Sequence, residues 1–431
     1  MWEDNRKKTI IKNLILALLI LILVTGLVYA MLNVRRETEA HDAELSVIQI
    51  QQQKQQDEAR QESVSVIDAE YEKDLQTIAS YMPGIVCWGD AVTLGSSGSV
   101  AYPYVLQKYI DTYICDIYDF RSTIENAEDF SRLKWDDYKV SIPVINMGAG
   151  KEDTSTVLGR SGAVPYVVES DFEIPAEAEP VSLSICSQNG RSVTPLIGGS
   201  AGVNNVVING VEGTLSMDSE LYNKKDIASY MFTRTQPGEV ISVSSGTVVQ
   251  TAVSNMYKDY IHIVCIGTYG GYDKDADVLV QQTKELLARQ TQNSDRYLVL
   301  GVYSFEGLTG ANYQLSTIDT AMMQAFGDRY VNIRMYLCGD GMADAGITTQ
   351  TSGDRVALYN YAVPASFLSA NHGIDLNAKA QKLIGKLIFN RMENLGFFDE
   401  IYSELNIPET TKLILKDDPS YFNTMIENAL K

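Results

Sequence analysis

Ile85-Val86-Cys87-Trp88-Gly89-Asp90-Ala91-Val92-Thr93-Leu94-Gly95 opens as an apolar run and breaks at once into a turn bounded by glycines. A run this short and this free of polar positions predicts a strand buried on both faces, as parallel sheets contain. The pattern recurs downstream. Val144-Ile145-Asn146 leads into Met147-Gly148-Ala149-Gly150-Lys151-Glu152-Asp153, and the apolar residues 261–266 lead into Gly267-Thr268-Tyr269-Gly270-Gly271. An amphipathic helix is expected over 277–289, a fourth apolar strand over 297–302, and a helix beginning near Tyr102-Pro103. Gly373-Ile374-Asp375-Leu376-Asn377 opens a last helix expected to run through Leu395. Apolar strands alternating with helices predict an α/β fold, a three-layer sandwich with a parallel sheet covered on both faces. Sites in such sheets form at the C-terminal ends of strands, which is where the glycine turns fall.

Upstream of this region the chain changes character. Residues 14–32, from Leu14 to Leu32, carry no charge and are dominated by Leu, Ile and Val. At about 1.5 Å per residue they match the roughly 30 Å hydrocarbon core of a bilayer. Arg6, Lys7, Lys8 and Lys12 precede the run, and only Arg35 and Arg36 follow closely. That bias predicts a single-pass cell-membrane protein with residues 1–13 in the cytoplasm and everything after Asn33 outside. A cleaved signal peptide ending near Val28-Tyr29-Ala30 is the competing reading, disfavoured by the length of the run. Residues 33–82 are rich in Gln, Glu, Asp, Ala and Lys and predict a helical stalk that Pro83-Gly84 ends. Self-association of this stalk as a coiled coil is the alternative to a solvated single helix. The polar run Gln51-Gln52-Gln53-Lys54-Gln55-Gln56 weakens any heptad.

Between the second and third glycine turns, residues 164–260 are far longer than an ordinary crossover. Strands are expected over 181–186, 206–208, 214–215, 231–233 and 240–252, with turns at Gln188-Asn189-Gly190, Asn209-Gly210 and Pro237-Gly238. This predicts a small inserted β-domain, sandwich or barrel-like, within an α/β domain made of residues 83–163 and 261–431.

The 431 residues carry a net charge of -20, and 45% are hydrophobic, which fits an ordered globular chain. Without clustered Lys and Arg, the acidic balance argues against a nucleic-acid partner. The five cysteines, Cys87, Cys115, Cys186, Cys265 and Cys338, show no metal-ligand spacing, so neither zinc nor another cofactor is expected. Cys87 and Cys265 read as small core residues, with a disulfide between them as the alternative.

Four blocks, in order over most of residues 85–395, resemble those of the SGNH (GDSL-type) hydrolases. Gly89-Asp90-Ala91-Val92-Thr93-Leu94-Gly95 is similar to the family's Gly-Asp-Ser-Leu-Thr-x-Gly, and Asn146-Met147-Gly148-Ala149-Gly150-Lys151 to its Asn-x-Gly-x-x-Gly. Gly267-Thr268-Tyr269 stands for Gly-x-Asn, and His372-Gly373-Ile374-Asp375-Leu376-Asn377 for Asp-Gly-Ile-His-Leu-Asn. The resemblance implies the family's flavodoxin-like architecture and an ancestral esterase or lipase site. It also implies that the residues of that site are replaced. The nucleophilic Ser falls on Ala91, the oxyanion Gly on Lys151, the oxyanion Asn on Tyr269, the base His on Asp375, and its orienting Asp on His372. A methyl group cannot attack an ester, and a carboxylate is a poor base near neutral pH.

Three functions are therefore weighed. The first is a pseudoenzyme outside the cell that binds a cell-surface glycan or an extracytoplasmic protein through Asp90, Gly148, Lys151, Tyr269, His372 and Asp375. The second is an active esterase or acyltransferase on acylated polysaccharide, with His372 serving a displaced hydroxyl among Thr93, Ser96, Ser97 and Ser99. The third is a structural assembly component. Asp90 also has a purely loop-supporting reading, Arg160 and Arg334 read as loop braces, His41 lies in the stalk, and His262 reads as a structural strand residue.

Overall fold

The computed structural model describes residues 2–95, 100–124, 133–199, 202–217, 230–292, 294–304, 312–369 and 374–404. The chain divides into two compact units, Met1–Lys73 and Asp74–Lys431. A single helix, α1, runs Trp2–Tyr81. Its span Ile10–Asn33 has a mean hydropathy of 2.9 and none of it is buried. At about 1.5 Å per residue it is long and apolar enough to cross a membrane. The span is wider than 14–32 because Ile10 and Ile11 extend the apolar run past Lys12. The helix stops where Pro83 removes a backbone donor.

In chain order the strands of the second unit are β1 (Ile85–Gly89), β2 (Val144–Gly148), β3 (Tyr166–Val168), β4 (Phe172–Ile174), β5 (Val181–Leu183), β6 (Ile185–Ser187) and β7 (Asn205–Ile208). They continue with β8 (Val211–Met217), β9 (Tyr230–Arg234), β10 (Ile241–Val243), β11 (Val248–Thr251), β12 (Ile261–Cys265), β13 (Tyr297–Leu300) and β14 (Tyr330–Val331). The helices that matter for the site are α2 (Ala91–Leu94), α3 (Tyr102–Ile110), α4 (Thr154–Ser161), α5 (Ala276–Leu287), α6 (Asn312–Phe326) and α7 (Ala378–Asn394).

The fold is mixed α/β around a five-stranded parallel sheet of order β14-β13-β12-β1-β2. Counted along the chain within this sheet, the order is 2-1-3-4-5. Strand β1, between β12 and β2, is buried at all five positions, and Gly89 at its end is level with Gly148 and Cys265. Val86, Trp88, Val264 and Val299 face a core completed by Leu158 of α4, Leu279 and Leu286 of α5, and Ile318 of α6. The other face carries Ile85, Cys87 and Ile263, with α3 and α7 crossing over it. A Cβ at Gly385 of α7 would lie 2.6 Å from Val105 Cβ of α3, so only a glycine admits this crossing. Gln381 of α7 locks the layer, accepting from the Tyr102 amide at 2.9 Å and donating to the Val92 carbonyl at 3.1 Å. Cys87 and Cys265 are free and buried, as core residues rather than a disulfide.

The segment between α4 and β12 makes a second, wholly antiparallel sheet of order β5-β9-β8-β7-β11-β3-β6. Its two edge strands are consecutive, separated only by Ser184. One bent stretch thus pairs with β9 by its first half and with β3 by its second, which closes the sheet into a barrel of six staves and removes its free edges. The strand expected over 181–186 is therefore two, because Ser184 is where the chain changes partner. The expected strand 240–252 is also two, β10 and β11, parted by a turn at Gly246 with φ 83°. β10 leaves the barrel to pair with β4 in a two-stranded flap. Burial alternates along β8 and β9, sending Leu215, Tyr230 and Phe232 inward to meet Tyr166, Ile185 and Val249. The Asn209-Gly210 turn between β7 and β8 has φ of 48° and 80°, the two left-handed residues a tight hairpin demands.

Candidate functional site

The first block folds as strand, one residue of cap, and one turn of helix. Asp90 caps α2, accepting from the Val92 amide at 2.9 Å, and lies buried at 1% exposure. Its second oxygen, Oδ2, has no partner in hydrogen-bonding geometry. Burial pushes the Asp90 carboxyl up from 3.8 to about 7, against the pull of the Val92 and Thr268 amides and with a further push from Glu152. Asp90 is thus a loop cap first, with burial favouring its protonated form. Ala91 follows at the first helical position, half-exposed at the tip of β1 with only a methyl to present.

The proton on Asp90 makes stability fall with pH. The folded state keeps a proton that the unfolded chain releases above about 3.8, so stability present at pH 3 drains away as pH rises through 7. Asp90→Asn keeps the cap and removes the titration. It is expected to be more stable than wild type by about 2 kcal/mol at pH 8 and no more stable below pH 4. Urea unfolding as a function of pH checks this, and a pH-independent difference would refute the titration.

The second block packs directly on the first. A Cβ at Gly148 would lie 2.1 Å from the Leu94 amide nitrogen, so the two loops touch through bare backbone. Asn146 accepts from the Gly148 amide at 2.9 Å, and the Ala149 amide donates to the Gly89 carbonyl at 3.1 Å. Lys151 is exposed with φ 59°, a conformation that glycine adopts readily and lysine at a cost. Among the described residues no hydrogen bond or ion pair joins Lys151 to Asp375.

The third and fourth blocks meet. Tyr269, half-buried beyond the end of β12, donates its hydroxyl to Asp375 Oδ1 at 3.1 Å. Asp375 is held by its backbone, its carbonyl accepting from the Ser369 amide at 2.7 Å. Asn377 caps α7, so this helix begins at Ala378. His372 lies outside the described residues, as do Ser96, Ser97 and Ser99. Thr93 is described. It is fully buried with Oγ1 3.1 Å from the Tyr102 hydroxyl, which commits it to the core and removes it as a substitute nucleophile.

Two residues of this region were not singled out from the sequence. Tyr303, just past β13, is buried, donates to the Ile374 carbonyl at 2.5 Å, and has its hydroxyl pushed well above its ordinary value by burial, with Asp90, Tyr269 and Asp375 adding to the shift. It ties the fourth block to the sheet. It follows the apolar run 297–302, and nothing in that placement marks it in the sequence. Glu152 is buried against Arg160, Nε to Oε2 2.9 Å, and Arg160 also reaches the Gly89 carbonyl at 3.2 Å and stacks 5.6 Å from the Trp88 ring centre. Arg160 is therefore the brace expected of it. Arg334 is another, paired with Asp319 and donating to the Tyr361 carbonyl at 2.6 Å. His262 is buried in β12 with Nε2 3.1 Å from the Tyr257 carbonyl, and burial holds its ring neutral, down to about 4.

At the C-terminal edge of the sheet, then, a methyl occupies the tip of β1 while a phenol and a carboxylate are paired beside it. Such a set offers hydrogen bonds to a polar ligand and no side-chain nucleophile at Ala91. No protein-family model, curated protein or solved structure matches the chain.

Proposed function

We propose that this chain is a membrane-anchored, extracytoplasmic protein of the SGNH-hydrolase type that has exchanged ester hydrolysis for binding, with a hydroxyl-rich cell-surface glycan as its ligand. The observation that carries the reading is the pairing of Tyr269 with Asp375 at 3.1 Å beside Ala91. The residues aligned with the family's oxyanion Asn and base His are brought together, yet they bond to each other, and no hydroxyl follows Asp90. The strand order 2-1-3-4-5 supports the same reading, since it is that of flavodoxin-like doubly wound sheets, whose ligands sit where the order reverses. That point is the β1–β12 boundary, between Ala91 and Tyr269. The barrel is then an insertion in the crossover from β2 to β12, and the span Ile10–Asn33 is an uncleaved anchor with the basic N-terminus in the cytoplasm.

The test is esterase activity of the full chain in detergent micelles on p-nitrophenyl acetate and acetylated sugars. Wild type is expected to show no turnover above buffer. The variant Ala91→Ser, Tyr269→Asn, His372→Asp, Asp375→His is expected to exceed it at least about a hundredfold, the scale on which one oxyanion donor acts. Turnover by wild type that vanishes in His372→Ala would overturn the proposal in favour of a rearranged esterase. Glycan-array binding that Tyr269→Ala abolishes is expected from the binding protein, and binding of an extracytoplasmic protein alone would replace the glycan as ligand.

A further inference from the structure

Charge inside a protein is ordinarily paired, because desolvating an ion costs several kcal/mol that a partner must offset. Buried Arg160 and Arg334 obey this, each against a carboxylate. Buried Arg234 in the barrel spends Nε and Nη1 on the carbonyls of Gln236, Pro175 and Glu239. Arg289, just past α5, differs. It is only 8% exposed, no carboxylate lies within ion-pair distance among the described residues, and its Nε and Nη1 have no hydrogen-bond partner. Nη2 alone is engaged, with the carbonyls of Val253, Ser254 and Met256 at 3.3, 2.9 and 3.3 Å. The guanidinium lies 4.9 Å from the centre of the Trp88 ring, which offers partial compensation and no counter-charge.

Beside Arg289 a cleft of about 360 Å³ opens between β11 and the C-terminal end of α5. Arg289 and Lys258 are its charged lining residues, and no acid lines it. On a chain of net charge -20 these two cations give the cleft a local positive charge. Lys258 is half-buried, its Nζ held 3.0 Å from Asn255 Oδ1, so the ammonium is fixed at the rim. Ser254, Asn255 and Thr291 add polar groups to the wall. Gln250 and Thr251 also line a second depression of about 440 Å³, whose charged lining residue among those described is Glu212.

We propose that this cleft binds a small polar ligand through a single oxyanion group, carboxylate or phosphate, which contacts Lys258 and supplies the counter-charge that Arg289 lacks. The site is separate from the Tyr269–Asp375 pair and does not depend on the family reading. Burial lowers the Arg289 guanidinium to about 10, which leaves it charged at neutral pH and still wanting an anion.

Isothermal titration of the full chain in detergent micelles, with sodium phosphate and with sodium glucuronate against sodium chloride of equal ionic strength, tests this. Saturable binding of at least one anion is expected, and the preferred anion identifies the source of the oxyanion. Lys258→Glu, at the rim, is expected to weaken binding by about tenfold or more while leaving the circular dichroism spectrum unchanged. Arg289→Gln is expected to abolish binding, and because that variant can also lose its fold, Lys258→Glu carries the decision. Heats no larger than chloride for both anions, or equal affinity in Lys258→Glu, would overturn the proposal.

Discussion

Arg160→Met is expected to remove about 3–5 kcal/mol of stability, a large fraction of the roughly 5–15 kcal/mol that keeps a domain folded. The argument is the state of Glu152. Both partners are essentially inaccessible to water, at 0% and 1% exposure, and Arg160 Nε is the carboxylate's charged partner at 2.9 Å. Methionine fills a similar volume against Trp88 but leaves an anion buried within the field of Asp90. The same substitution removes one donor to the Gly89 carbonyl at the tip of β1, Arg160 Nη2 at 3.2 Å, and leaves the Ala149 amide at 3.1 Å. Removing both charges, as Arg160→Met with Glu152→Gln, is expected to recover more than half of the loss, because the penalty comes from burying a carboxylate without its cation more than from the lost attraction. Guanidinium unfolding of the two variants separates these contributions. A single variant within about 1 kcal/mol of wild type would show that Glu152 finds water.

Gly148→Ala is the second large effect, expected at about 4 kcal/mol for one methyl group. The added carbon would sit 2.1 Å from the Leu94 nitrogen and 2.6 Å from the Thr93 carbonyl carbon, both backbone atoms of the first block. No rotamer change relieves a clash with main chain, so either α2 or the end of β2 must move. Movement of α2 displaces Ala91 and loosens the Asp90 cap, so ligand binding at the Tyr269–Asp375 edge is expected to fall together with stability. Gly210→Ala serves as the control, since open space surrounds that position in the barrel hairpin. Its cost is the left-handed φ of 80° alone, on the order of 1–2 kcal/mol. Thermal unfolding that ranks the two variants equally would refute the backbone contact.

What could be read ahead of the structure was what local chemistry dictates. The strands β1, β2, β12 and β13 were legible because apolar runs ended by Gly89, Gly148, Gly267 and Gly301 admit few other readings. Asn209-Gly210 announced its hairpin because few residue pairs tolerate two left-handed conformations in sequence. The closure of the barrel was not legible. Ser184 resembles any other strand serine, and that the strand changes partners there depends on which edges meet in space. Of the candidate residues, Tyr269 and Asp375 meet in space, but their mutual hydrogen bond spans 106 residues and no spacing rule reaches so far. Tyr303 was missed because a tyrosine after an apolar run says nothing of its own about the loop it will hold.

The barrel leaves and rejoins the α/β body almost at one point. Thr251 Oγ1 donates to the Arg160 carbonyl at 2.6 Å across 91 residues of chain, and a Cβ on Gly162 would come 2.7 Å from Ser254 Cβ. Before folding, β1 must find β12 by closing a loop that contains this whole segment. Once the barrel has closed on itself its two ends are already side by side, and the loop left to close is roughly half as long. Loop-closure entropy varies only as the logarithm of length, so the saving is about 0.6 kcal/mol. Ninety residues of extra architecture thus weigh on the search for the parallel sheet hardly more than a short turn would.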